Sequence, residues 1–184
     1  MNTNLIVPTN PYISRDTPVL WISACLLGEK VRYDGKHKLN RGVLALSKVF
    51  AHYSLCPEME MGLGVPRAPI SWFGDSLLEN ESKKDLTTLS SSTADSILAK
   101  NKKPNGIILK SKSPSCGIMS TLNQTNGKLQ SGFFARAIQE RYPEMQMTEE
   151  NTLVFLDQVY EFATALGASK SVLQDLQSAW NSLA

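Results

Sequence analysis

Gly106-Ile107-Ile108-Leu109-Lys110-Ser111-Lys112-Ser113-Pro114-Ser115-Cys116-Gly117 joins a short apolar run to small hydroxyl side chains, a proline and a thiol. Consecutive apolar positions suit a strand covered on both faces, the pattern of a central strand in a parallel sheet. Pro114 has no N–H to give to a ladder, so pairing stops before it. The strand delivers Cys116 to a rim at its carboxyl end, where ligands bind in open α/β sheets.

Two further thiols follow strands. Val19-Leu20-Trp21-Ile22 is a compact apolar run after Pro18, and it leads directly into Ser23-Ala24-Cys25. Asn40 is placed to cap a helix through Ser47, with Val43, Leu44 and Leu46 inward, and Val49 to Leu55 then reads as extended and ends at Cys56. The stretch from Cys56 to Arg67 opens on Pro57 and contains Gly62 and Gly64, which predicts an irregular loop. The intervals between the three cysteines each leave room for the crossover that parallel strands require. Parallel strands put their carboxyl ends on one side, so the three thiols are expected on one rim.

The rest of the chain fits the same architecture. Pro69 to Glu79 suits an edge hairpin or loop, Asn80 to Asp85 a polar surface, and a helix is expected from about Ser91 to Lys100. Thr121 to Ser131 reads as a polar loop turning at Asn126-Gly127, Gly132 to Arg141 as a helix, and Met145 to Thr148 as a last strand. From Glu150 the spacing of Leu153, Leu156, Tyr160 and Ala163 is helical as far as Gly167, and Val172, Leu173, Leu176, Trp180 and Leu183 repeat it. Alternating strands and helices predict a single α/β domain over 18–184, a parallel sheet with helices on both faces. Residues 1–17, polar and proline-containing, are expected to form an N-terminal extension.

At 184 residues, 42% hydrophobic and 20% charged, the chain has the composition of an ordinary globular protein. A net charge of +2 is too small to imply a nucleic-acid partner by itself. No apolar run approaches the ~18 to 20 residues of a membrane span, and the first residues lack the basic and apolar regions of a signal peptide. A cytoplasmic location is expected, where three cysteines remain thiols. The last amphipathic helix suits packing on its own sheet or on a second copy, so the oligomeric state stays open.

Four roles for the thiols stay open at this point. They suit buried small hydrophobes; they suit zinc with water as fourth ligand, although the paired C-x₂₋₄-C spacing of structural zinc sites is absent. One of them paired with His37 or His52 suits nucleophilic catalysis, although neither histidine sits in a motif. Three of them on one rim suit a [4Fe-4S] cluster with three cysteine ligands and one open iron, and their wide spacing favours that larger group. Gly62-Leu63-Gly64 lacks the third glycine and following helix of a dinucleotide site, so ATP or NAD use is not indicated.

Ser23-Ala24-Cys25-Leu26-Leu27-Gly28 with Arg32-Tyr33-Asp34-Gly35, Cys56-Pro57-Glu58 with Gly64-Val65-Pro66-Arg67, and Ser113-Pro114-Ser115-Cys116-Gly117 together resemble the thiouracil desulfidase family. The resemblance implies a Rossmann-like fold, a [4Fe-4S] cluster held by Cys25, Cys56 and Cys116, and non-redox removal of sulfur from thiolated uracil. In such a reaction a carboxylate activates water to attack the ring carbon, and the sulfur leaves as hydrosulfide.

That chemistry needs a base near Cys56. Glu60 and Glu58 are the candidates, because extended backbone points both to one side of the chain. Ser113 is a candidate catalytic donor and Ser23 and Ser115 candidate substrate contacts, with turn chemistry around Pro114 as the plainer role for the two later serines. Lys112 joins the basic stretch that contains Arg32, Lys36 and His37 as a candidate phosphate site, which would make a thiolated nucleotide or a thiolated RNA a better substrate than the free base. The competing functions are a non-enzymatic iron-sulfur or zinc module that carries a cluster or sulfur to a partner, and an RNA-binding accessory using the basic loop.

Overall fold

The computed structural model describes residues 5–7 and 18–183. The first half of the chain forms β1 (Leu5–Ile6), β2 (Val19–Ser23), α1 (Arg41–Val49), β3 (Ala51–Leu55), a one-turn helix α2 (Pro57–Glu60), and the hairpin β4 (Ile70–Phe73) and β5 (Ser76–Glu79). The second half forms α3 (Thr87–Lys100), β6 (Gly106–Leu109), the two-residue strands β7 (Thr121–Leu122) and β8 (Leu129–Gln130), α4 (Phe133–Arg141), β9 (Gln146–Glu149), α5 (Leu156–Ala165) and α6 (Lys170–Asn181). The extension expected over 1–17 lies mostly outside the described residues, but Leu5–Ile6 pairs antiparallel with β3 at the sheet edge.

The main sheet has the order β1-β3-β2-β6-β9, and its last four strands are parallel. This is the expected α/β architecture, and the period of two along each strand explains its two covered faces. Leu20 and Ile22 of β2 and Ile108 of β6 point to one side, where Val43, Leu46, Val159, Phe162 and Leu176 of α1, α5 and α6 cover them. Trp21, Ile107 and Leu109 point to the other, against Ile97 of α3 and Phe134 and Ile138 of α4. Trp21 stacks on Phe134 with ring centroids 6.2 Å apart. No helix among the described residues is long and apolar enough to cross a membrane.

Local chemistry sets the helix starts. Asn40 caps α1 as expected, its side-chain oxygen accepting from the Val43 N–H at 2.9 Å. The helix expected from about Ser91 starts four residues earlier, because the Asp85 carboxylate accepts the Thr87 N–H at 2.8 Å and the Thr87 hydroxyl accepts from Leu77 N–H at 2.9 Å. The polar segment expected as a loop from Thr121 to Ser131 closes into the β7–β8 hairpin, with Gly127 left-handed at the turn (φ 67°).

Gly42 sits where α1 meets the segment before α5. A Cβ there would stand 2.3 Å from the Leu153 carbonyl oxygen and 2.9 Å from a Val159 methyl. Alanine is ordinarily the better helix former by up to ~1 kcal/mol, and here the clash reverses that preference. Gly42→Ala is expected to lower stability by about 1–3 kcal/mol, the scale of an overpacked core, measured by denaturant unfolding; an unchanged midpoint would show that the two elements separate without cost.

Candidate metal-cluster site

The three strand ends build the site from three different turns. β2 runs into a 3-10 turn, Ala24–Leu27, that carries Cys25 and closes at Gly28 with φ 94°, a left-handed conformation suited to glycine. The Cys25 carbonyl accepts from Lys38 N–H at 2.8 Å, tying the basic loop back to the turn. β3 ends at Cys56, which is the N-cap residue of α2, with Pro57 at the first helical position where a missing N–H costs nothing.

The third turn follows β6. The Ser113 hydroxyl accepts from the N–H groups of Ser115 (3.2 Å) and Cys116 (3.1 Å), and Thr121 Oγ1 donates to the Ser113 carbonyl at 2.6 Å. The first N–H groups of α4 need partners outside the helix, and Phe133 and Phe134 find them in the carbonyls of Pro114 and Ser115. Gly132 allows that approach, since a Cβ on it would lie 2.5 Å from the Ser115 carbonyl carbon.

Cys25, Cys56 and Cys116 all line one cavity of about 340 Å³, together with Ser23, Arg32, Tyr33, Glu58, Arg67, Lys110, Lys112 and Ser113. Cys25 and Cys116 are buried and Cys56 is half-buried. Burial pushes the Cys25 thiol up to about 12; the neighbouring Cys56 adds to the rise and the Lys110 and Arg32 charges oppose it. Burial also raises Cys56, with the Glu58 charge adding to it. Cys116 is held far above the ordinary thiol range by burial, partly offset by the Ser23 hydroxyl. A group that binds them as thiolates therefore displaces protons. Among the described residues no group of three or more His, Cys, Asp or Glu side chains is placed to hold a metal ion. Three soft sulfur donors ringing a volume fit an iron-sulfur cluster.

Of the segment from Cys56 to Arg67, expected as irregular, Met61 to Arg67 is so, but Pro57–Glu60 forms the single turn α2, and this separates the two candidate bases. Two helical positions apart, side chains diverge by about 200° around the axis. Glu58 lines the cavity, whereas Glu60 lies in a different groove with Ser92, Thr93, Ser96, Ile97 and Lys100 of α3. Ser115 Oγ donates to Glu58 Oε1 at 2.7 Å, and Arg67 Nε donates to Glu58 Oε2 at 2.8 Å. The guanidinium also reaches the carbonyls of Gly64 (2.7 Å) and Val31 (2.9 Å).

The comparisons with known proteins bear on this constellation. Residues 20–150 match the family model described as 2-thiouracil desulfurase. The chain belongs to that family. The matched span contains every residue lining the cavity. Uncharacterized protein YbbK of Bacillus subtilis (strain 168) is 31% identical over 147 residues, covering 73% of this chain and 97% of that protein. The solved structure of the [4Fe-4S]-dependent thiouracil desulfidase TudS superposes with a TM-score of 0.64 at 31% identity, covering 82% of this chain and 98% of that one.

Within this desulfurase-family fold the other candidate residues divide. Ser23, Arg32, Lys112 and Ser113 line the cavity, and Ser115 reaches it through Glu58; Lys36 and His37 are not among the lining residues. The Lys36 N–H donates to Asp34 Oδ1 at 3.1 Å and His37 Nδ1 accepts from Leu39 N–H at 3.3 Å, so this stretch is occupied with its own turn. Neither histidine stands beside a cysteine in the cavity, which removes the cysteine-histidine reading. His52 is buried on β3 with Nδ1 3.2 Å from the Phe50 carbonyl, an acceptor, so Nδ1 carries the proton. Arg67 entered the sequence reading only within the Gly64–Arg67 block of the resemblance, with no role assigned, and Lys110, Ser111 and Glu150 were assigned none. Glu150 stands at the end of β9, 2.7 Å from Lys110 Nζ.

The thiol shift fixes a pH dependence for the cluster-free protein. Cys25 ordinarily titrates near 9.0 and in the fold near 12, so between those values the folded state keeps a proton that the unfolded state has lost. Its contribution to stability is complete below the unfolded value and is lost as pH rises through the folded one. Cys25→Ala is expected to show a shallower loss of stability than the parent between pH 9 and 12, read from thermal unfolding across that range; identical slopes would show that the thiol is not held protonated by the fold.

Proposed function

We propose that this chain is a [4Fe-4S]-dependent desulfidase that hydrolyses thiolated uracil compounds to uracil compounds and hydrosulfide. The observation that carries the reading is the partnered carboxylate of Glu58 on the same cavity as three thiols. A cluster carrier needs ligands but no positioned base, so this arrangement favours an enzyme over the carrier alternative. When bound, a cluster held by Cys25, Cys56 and Cys116 supplies an iron without a protein ligand, a Lewis acid for the thiocarbonyl sulfur.

The chain's own groups then move the proton. Each carboxylate oxygen has two lone-pair sites; Ser115 and Arg67 occupy some and fix the plane of Glu58, leaving an acceptor for a water in the cavity. Glu58 takes one proton from that water as its oxygen bonds to the ring carbon. The carbon-sulfur bond breaks and its electron pair leaves with the sulfur; of the water's two protons one passes to that sulfur to give hydrosulfide and the other is released to solvent as the ring carbonyl forms, with no net redox change. Ser23 accepts from Lys110 N–H at 3.1 Å and turns its own proton toward the Cys116 sulfur. Ser113 keeps its hydroxyl proton for a ligand, because its oxygen is the atom used in the turn.

Lys112 supports a nucleotide substrate. It is exposed at the cavity wall and, among the described residues, makes no ion pair, whereas Arg32, Arg67 and Lys110 each have a carboxylate partner. An uncommitted ammonium at the mouth suits the phosphate of thiouridine monophosphate.

Protein purified without oxygen is expected to contain iron and acid-labile sulfide and to release hydrosulfide from 2-thiouracil, 4-thiouracil or 4-thiouridine monophosphate. Iron-free protein that resists reconstitution overturns the proposal; a loaded protein inert on these and on thiolated RNA leaves the carrier function in its place. Glu58→Gln should retain the cluster and lose roughly 10²–10⁴ in kcat, the scale of a general base, while Glu60→Gln turns over at the parent rate. Lys112→Met should raise KM for the monophosphate and leave that of the free base unchanged.

A further inference from the structure

Lys110 and Glu150 form an ion pair beside the cavity that the steps above do not use. Lys110 Nζ lies 2.7 Å from Glu150 Oε1, and the two side chains are 14% and 8% exposed. The ammonium also donates to the Ser111 carbonyl at 2.6 Å and to Ser111 Oγ at 3.1 Å. Three acceptors use all three of its N–H groups. It therefore has no donor left for a ligand, and it acts on the cavity through its charge.

Glu150 does not need that charge to be satisfied. Its Oε2 accepts from Ser111 N–H at 2.7 Å and its Oε1 from Ser111 Oγ at 2.8 Å, which already clasp the ends of β9 and β6 together. Burying a cation forfeits its hydration, so a structural clasp alone leaves Lys110 unexplained. Its placement supplies the reason. Lys110 lines the cavity with the three thiols whereas Glu150 is not among its lining residues, and at Cys25 the Lys110 charge outweighs that of Glu150. Burial works against ionisation of Glu150, but the Lys110 and Ser111 donors outweigh it and hold the carboxyl below its ordinary range.

We propose that Lys110 is a fixed electrostatic residue for the cluster ligated by Cys25, Cys56 and Cys116, and that Glu150 is the positioning residue that aims it. This rests on the cluster reading above. Three thiolates leave the oxidised cluster net anionic, and a cation on the wall offsets that charge, favours the form with one more electron, and steadies the negative charge that gathers on a departing sulfur. Arg32 and Arg67 also line the cavity and are paired as Lys110 is, but the Arg67 partner, Glu58, lines the same cavity and offsets it there, and the Arg32–Asp34 pair is 27% exposed on each side and screened by solvent.

The test is the reduction potential of the loaded protein, followed by electron paramagnetic resonance during a reductive titration, with iron and acid-labile sulfide measured in every sample. Lys110→Met is expected to shift the potential negative and Glu150→Gln to shift it positive. A clasp that merely loosened would not move the two in opposite directions. Where Lys110→Met fails to hold the cluster, Glu150→Gln, which keeps the shape and the lysine, decides alone. A loaded protein whose potential ignores Glu150→Gln overturns this assignment and leaves the desulfidase reading standing; a parent protein that takes up no cluster overturns both.

Discussion

One buried guanidinium holds the functional rim together. Arg67, with its side chain 5% exposed, binds the Glu58 carboxylate, the Gly64 carbonyl and the Val31 carbonyl, and its own backbone N–H donates to the Tyr33 carbonyl. Those partners belong to α2, to the loop after it and to the basic loop after Cys25. A lysine could not replace it, because only a planar fork with five donors reaches three segments at once. The pairing is reciprocal. Glu58 would otherwise be an unpartnered carboxylate on the cavity wall, and its charge offsets the cost of taking the guanidinium out of water.

That weld matters because the sheet alone sets only the approximate height of the thiols. The parallel register aligns Ser23 with Leu55 and Trp21 with Ile107, so the ends of β2, β3 and β6 reach the same rim. From there each cysteine sits on a different local device: a 3-10 turn, a helix N-cap, and a serine-centred turn sewn to the start of α4. Rigid sheet, short turns and hydrogen-bonded loop carbonyls together place soft donors around a volume. A pocket built this way is shaped before any ligand arrives, which lowers the cost of binding one.

How much of this was legible in the sequence depended on how local the cause was. Gly106–Leu109 is a strand because its run of apolar residues is buried on both faces, and Asn40 caps α1 through its own side chain; both are written within a few positions. The separation of Glu58 from Glu60 was not, because the glycines and proline after Cys56 suggested extended backbone while one helical turn intervenes. The helix expected from Glu150 is a separate 3-10 turn over Glu150–Thr152 followed by α5 from Leu156, where the Gln158 side chain accepts the Val154 and Phe155 N–H groups; the side chain of Glu150 is meanwhile bound to Ser111 and Lys110, about forty positions earlier. Long-range ion pairs leave no periodicity, and so Arg67 with Glu58 and Lys110 with Glu150 became visible only once the strands were in register.

The clasp at the end of β9 also orders events in time. A chain emerging from the ribosome presents Cys25, Cys56 and Cys116 in turn, and proteins fold as segments become available. β6 can join β2 once its residues have emerged, but the loop bearing Cys116 is secured only later, when the first N–H groups of α4 donate to its carbonyls and when Glu149 and Glu150 bind Ile118, Ser120 and Ser111. Until then the three thiols are not held around one cavity. A chain stalled before β9 would lack the contacts that close the Cys116 side of the mouth.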